Sequence, residues 1–129
     1  MTRTAVSTAD APKSVGPYSQ GIEADGLVFC AGQLGLDPAT GQLVEGGVVA
    51  EAERSLGNLR AVLAAAGCTF ADVVKTTIFL ADINDFGAVN ELYATFMPDP
   101  PPARSTFAVG ELPKGGRIEI EAIAVKPGR

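Results

Sequence analysis

The chain reads as an α+β protein, a single mixed sheet with two helices packed on one of its faces, in one domain over residues 1–129. Three observations predict it. Extended and helical patterns alternate in the order strand pair, helix, strand, helix, strand, strand. The last strand is apolar on both faces, more than two helices can cover. Finally, 129 residues with 47% hydrophobic and 19% charged side chains can build one core without metal or disulfides.

The first element is a hairpin: residues 19–24 and 27–31 flank Asp25-Gly26, a two-residue turn signal. Before it, Gly16-Pro17-Tyr18 forms a stiff lead-in. Residues 32–47, punctuated by Asp37-Pro38 and Thr40-Gly41, read as a loop. The first helix follows. Val49, Ala52, Leu56, Leu59, Leu63 and Ala66 recur at steps of three and four, and Gly67 is placed to end it. Glu51, Glu53, Arg54, Asn58 and Arg60 are assigned to its other faces.

Residues 73–80 are β-branched and aromatic, a strand. A second helix starts near Asn84 or Asp85, either a capping residue, and carries the stripe Phe86, Val89, Tyr93, Phe96. Pro98, Pro100, Pro101 and Pro102 end it. Residues 103–109 and 117–125 are the closing strands. In the last, Ile118, Ile120, Ala122 and Ala124 alternate with Glu119, Glu121, Ile123 and Val125. Both sets are substantially apolar, so a second subunit is expected to cover the face the helices leave bare.

Composition narrows the chemistry sharply. There is no histidine, which excludes Ser-His-Asp and Cys-His nucleophiles, His-ligated zinc and histidine proton shuttles. Catalysis would have to run on carboxylates, Arg, Lys, Tyr, hydroxyls or the thiols of Cys30 and Cys68. Those cysteines form no CxxC pair and read as reduced, buried thiols of a cytoplasmic protein. The N-terminus lacks a signal-peptide apolar core, and no stretch approaches a membrane span, so neither export nor membrane contact is expected. A net charge of -5 argues against nucleic acid as a partner. Gly32-Gln33-Leu34-Gly35 is no dinucleotide fingerprint, and Asp82, Asn84 and Asp85 lack the spacing of a calcium loop.

Arg104 is the first candidate site residue. It follows three residues dominated by proline and opens a strand, so its guanidinium can be aimed at a carboxylate and grip it with two parallel hydrogen bonds. The plainer alternative is a strand-end Arg paired with a surface Glu. Thr106 shares its face by the strand period. Glu119 and Glu121 share a face of a strand read as covered; a partly buried carboxyl is raised toward neutrality and suited to proton transfer. Tyr18 is a core aromatic or a fixed hydroxyl, and Asn90 a helix-edge polar residue or a cleft residue.

Taken together, Pro102-Ala103-Arg104-Ser105-Thr106-Phe107 and Ile118-Glu119-Ile120-Glu121 resemble the signature of the RidA/YjgF family. Gly16-Pro17-Tyr18-Ser19-Gln20, Ala31-Gly32-Gln33, Val74-Lys75-Thr76-Thr77 and Asn84-Asp85-Phe86 match in the same order, so the likeness runs from about Pro12 to Val125. The resemblance implies a chorismate-mutase-like fold, a homotrimer with clefts between subunits, and cofactor-free hydrolysis of 2-imino acids (2-iminobutanoate, 2-iminopropanoate) to 2-keto acids and ammonia. It implies that Arg104 clamps the substrate carboxylate, that backbone groups at Thr106 and Gly32 line the pocket, that Tyr18 and Glu121 orient or activate water, and that Asn90 shapes the cleft. No metal is implied. Thr106 stands where many members have Cys, and Ala31 where many have Ser; thiol chemistry at position 106 is thereby removed. Two rivals stand beside this reading: a non-catalytic trimer that senses small carboxylates, and an endoribonuclease or translation inhibitor.

Overall fold

A computed structural model describes residues 2–128. Its single sheet has six strands: β1 (Arg3–Val6), β2 (Gly21–Ala24), β3 (Leu27–Leu34), β4 (Val73–Leu80), β5 (Ala103–Ala108) and β6 (Ile118–Val125), in the order β1-β2-β3-β6-β4-β5. Only the β4–β5 pair is parallel, so the sheet is mixed as expected. Two helices, α1 (Val48–Ala65) and α2 (Phe86–Ala94), supply the second layer. Neither is long and apolar enough to cross a membrane.

The β2–β3 hairpin turns through Asp25 and Gly26, both at positive φ, the geometry a two-residue primed turn requires. Two expectations give way here. β1 was not expected; at four residues it offers too little alternation to read, and it forms by pairing with β2. β3 also runs on through Gly32, Gln33 and Leu34, where the sequence pattern predicts loop; a bulge between Cys30 and Gln33 lets the strand keep its pairing with β6.

Helix α1 buries Leu56, Leu59, Val62 and Leu63 completely against β3 and β6 side chains such as Val28, Ile118 and Ile120. It ends in a Schellman turn: Cys68 N–H donates to Leu63 O at 2.8 Å and Gly67 N–H to Ala64 O at 3.0 Å, with Gly67 left-handed. The stripe is set one residue differently at its start, since Val48 is buried and Val49 exposed. Glu51 and Asn58, assigned to outer faces, are buried. Each satisfies backbone that a helix–loop contact would otherwise orphan. Glu51 Oε1 accepts from Arg117 N–H at 2.8 Å. Asn58 Nδ2 donates to Leu34 O and Leu36 O at 3.1 and 2.8 Å, while its Oδ1 accepts from Arg54 Nε. Asn58→Ala leaves those two carbonyls unpaired beneath the helix. It is expected to cost about 2–4 kcal/mol, read as a lower urea midpoint at unchanged slope.

The N-terminus of α2 is anchored from outside. Neither Asn84 nor Asp85 caps it with a side chain; Asp82 instead accepts from Asn84 N–H at 2.9 Å and starts a 3₁₀ turn that leads into the helix. Asp85 is used otherwise, both carboxylate oxygens accepting from Arg117 Nη2 at 3.0 Å. Of the predicted stripe, Val89 and Tyr93 are buried, Phe96 packs just past the helix end, and Phe86 is partly exposed.

Both helices lie on one face. Ile118, Ile120, Ala122 and Ala124 point into the core they cover, while Glu119, Glu121, Ile123 and Val125 face away. That second face is bare in one chain and displays Phe29, Phe79, Phe107 and Val125. Cys30 and Cys68 are buried and unpaired, and burial pushes the Cys30 thiol up to about 12, far from a reactive thiolate.

Candidate active site

Strand register sorts the candidate residues onto two faces. Thr76, Ile78 and Leu80 of β4 are buried beneath the helices, and their partners in β5 are Arg104, Thr106 and Ala108. Arg104 and Thr106 therefore face the helix side, on a strand whose outer edge is free. Glu119 and Glu121 pair with Phe79 and Thr77 and face the opposite side. One chain alone does not bring Arg104 to either glutamate. A period-2 reading places residues on faces within a strand, but relative faces of two strands are set by pairing.

Arg104 is held by α2. Its Nη1 donates to Asn90 Oδ1 at 2.7 Å, and its guanidinium carbon lies 5.4 Å from the Phe86 ring centre and 5.0 Å from that of Tyr93. Phe86, Asn90 and Tyr93 are spaced four and three apart, one stripe of the helix. Among the described residues Arg104 forms no ion pair; the two that occur are Arg117–Asp85 and Lys126–Glu23. The strand-end ion pair considered from the sequence is thus not what holds this guanidinium. Thr106 lies two residues on, and its hydroxyl is buried with no hydrogen-bond partner among the described residues.

Tyr18 and Gly32 line a separate cleft of about 710 Å³, together with Glu119, Lys13 and Lys114. Tyr18 is 52% exposed, its backbone N–H turned back onto Gly16 O at 2.9 Å. One wall, residues 8–12, is tied down by the buried Gln20. Its Nε2 donates to Thr8 O and Pro12 O at 3.0 and 2.8 Å, and its Oε1 accepts from Thr8 N–H at 2.7 Å. The Glu119 carboxylate packs against the bare backbone of Gly32, where a Cβ would come within 2.7 Å of Oε2 and push the carboxylate aside.

The cleft contains Glu119, and Glu121, the carboxylate first assigned to water activation, does not line it. Glu121 is exposed on the bare face. Burial, and secondarily the neighbouring Glu121 charge, raise the Glu119 carboxyl above the ordinary Glu range. The sequence placed both on one face; the only signal that distinguished them was Gly32, whose missing side chain makes room for one of the two. Nothing in the sequence marks Gln20, whose role rests on a loop eight to twelve residues away.

The endoribonuclease L-PSP family model matches residues 8–126. The 2-iminobutanoate/2-iminopropanoate deaminase of Mus musculus is 55% identical over 124 residues, 96% of this chain and 92% of that protein. Its Homo sapiens counterpart is 52% identical over 126 residues, 98% of this chain and 92% of that protein. Among solved structures, the YjgF gene product from E. coli matches with a TM-score of 0.89 at 42% identity, covering 95% of this chain and 98% of that one. E. coli TdcF with bound serine matches with a TM-score of 0.89 at 40% identity over 95% of this chain and 98% of that one. With nearly its whole length matched by that model and by relatives above half identity, the chain belongs to the RidA/YjgF family.

Proposed function

We propose that this protein hydrolyses small 2-imino acids, such as 2-iminobutanoate and 2-iminopropanoate, to 2-keto acids and ammonia, in clefts formed where three copies of the chain meet. The observation that carries the reading is the state of Arg104. Its guanidinium is oriented by a neutral amide and two aromatic rings, with no carboxylate among the described residues to neutralise it. A charge held rigid and unpaired is suited to an anionic ligand. Deaminases carrying this activity in their names are 55% and 52% identical to the chain over 96% and 98% of its length.

Assembly supplies what one chain lacks. Arg104, Asn90 and Thr106 lie at a free sheet edge, and Tyr18, Gly32 and Glu119 line a cleft on the other face, beside bare apolar side chains. Seating the free β5 edge of one copy against the bare face of the next in a homotrimer would set the first group of one copy against the second group of its neighbour. Purified protein is expected to elute at three times its 13.2 kDa chain mass.

The chemistry then needs no cofactor. Arg104 takes the substrate carboxylate in two parallel hydrogen bonds. Glu119, ionised, removes a proton from a water held by the Tyr18 hydroxyl while the water oxygen bonds to the C=N carbon and the π pair moves to nitrogen. The carboxyl returns the proton to nitrogen to give the carbinolamine; the carboxylate then carries the adduct's hydroxyl proton to the amine, and as the C=O bond forms the C–N bond breaks and ammonia leaves. An imine is already electrophilic, so positioning and one proton-transfer group suffice. The endoribonuclease reading finds less support, with no histidine and a net charge of -5.

The test couples the protein to a threonine dehydratase and traps free imine with semicarbazide. Added protein is expected to lower the trapped yield and raise 2-ketobutanoate; an unchanged yield removes the proposal. The pH profile carries a second expectation. Since Glu119 must be ionised, the rate falls as pH drops through its raised pKa. Glu121→Gln removes a like charge, so the acid limb of kcat/KM is expected to move to lower pH, with activity at pH 8 little changed.

A further inference from the structure

Thr76 lies directly beside Arg104 in the parallel β4–β5 pair and on the same face, and it is fully buried. The Tyr93 ring stands over both. Its hydroxyl meets Thr76 Oγ1 at 2.6 Å while its ring centre lies 5.0 Å from the Arg104 guanidinium. The geometry points to Tyr93 and Thr76 as positioning residues for Arg104: the buried hydroxyl pair locks the ring, and the locked ring with Phe86 fixes the plane in which the guanidinium presents its donors.

The physical case is one of orientation. An Arg side chain has several rotatable bonds, and the freedom they lose when it is ordered on binding opposes affinity. A flat aromatic surface favours a stacked guanidinium. Asn90 holds one end of the fork through Nη1 and the rings hold its plane, so the bidentate geometry is set before any anion arrives. A Tyr ring alone could tilt about its own side-chain bonds. Thr76 removes that freedom, at a position where any unpaired hydroxyl would be penalised. The arrangement also gives an account of why a hydroxyl stands at this buried position of β4, where Ile78 and Leu80 occupy the equivalent positions further along the strand.

This inference rests on the reading of Arg104 as a carboxylate clamp, and its test is built to fail separately from that reading. The direct readout is the ¹⁵Nε–¹Hε heteronuclear NOE of Arg104, assigned by its disappearance in Arg104→Ala. Arg54, whose Nε donates to Asn58 Oδ1 at 3.0 Å, serves as internal control. In Thr76→Val, nearly isosteric, the Arg104 NOE is expected to fall while that of Arg54 holds. Thr76→Ser, which keeps the hydroxyl, is expected to restore it. Calorimetric Kd values for 2-ketobutanoate should follow, rising at least about fivefold in Thr76→Val and Tyr93→Phe and staying within about twofold of wild type in Thr76→Ser. Should Thr76→Val not fold, Tyr93→Phe, which keeps the ring and loses only the hydroxyl, gives the same two readings. An unchanged Arg104 NOE in the hydroxyl-deleted variants, or a parallel loss at Arg54, overturns the inference even if wild-type protein hydrolyses imines. Absence of imine hydrolysis with an Arg104 NOE that still tracks the hydroxyl overturns only the functional reading.

Discussion

Arg104→Ala is expected to lower kcat/KM for 2-iminobutanoate hydrolysis at least about a hundredfold. Two charge-assisted hydrogen bonds to the substrate carboxylate, each about 1.5–3 kcal/mol, are lost together. The same variant should lose a comparable factor in 2-ketobutanoate affinity, since the carboxylate is gripped alike in substrate, adduct and product. Stability should change little: Arg104 lies on an edge strand and is partly exposed, and its partners are one amide and two ring faces. Arg104→Lys tests the geometry separately. It keeps the charge without the planar fork, so affinity recovered fully by Lys would assign the site to charge alone. Undiminished turnover in Arg104→Ala would place the clamp elsewhere. The measurement is the semicarbazide-trapping assay paired with calorimetry.

The second large effect belongs to Glu119. Glu119→Gln keeps the side-chain shape that fits against Gly32 and removes the proton acceptor. A fall in kcat of about a hundredfold is expected, with 2-ketobutanoate Kd changed by less than about threefold. Stability should move the other way. The folded carboxyl is raised by burial and by Glu121, so the native state holds its proton more tightly than the unfolded chain does. Its contribution to stability is therefore full below the ordinary Glu range and lost as pH rises through the raised value. Above that raised value the ionised group is a liability, and Glu119→Gln is expected to raise Tm there and flatten the decline of Tm as pH rises through it. A variant that is slower and more stable is the signature of a group kept for chemistry at a cost in folding. Equal turnover with a raised Tm would leave Glu119 a strained structural residue. Glu121→Gln as the slower of the two would return the proton-transfer role to Glu121.

Much of the architecture could be read without coordinates. Asp25-Gly26 specifies its turn through local backbone preference, the leucine spacing of α1 specifies a buried stripe, and Gly67 marks its end. Each depends on neighbours within one or two turns of chain. β1 could not be read, because four residues carry no pattern until β2 pairs with them. Nor could the buried roles of Glu51 and Asn58, whose partners are Arg117, Leu34 and Leu36. A polar residue on a helix reads as solvated unless one knows which backbone lies beneath it.

The candidate site divides along the same line. By itself the sequence determined the available chemistry: no histidine, an arginine set after a run of prolines, two glutamates on one strand face, and a tyrosine beside Gly-Pro. The tertiary structure decided which of these can act together. Pairing of β4 with β5 and β6 sends Arg104 and Thr106 to one side of the sheet and both glutamates to the other. Gly32, within the β3 bulge, lies against the Glu119 carboxylate, and the cleft takes in Glu119 and not Glu121. The reason is physical: residue type and period are local properties of the chain, whereas which face is covered and which carboxyl is desolvated depend on segments tens of residues away.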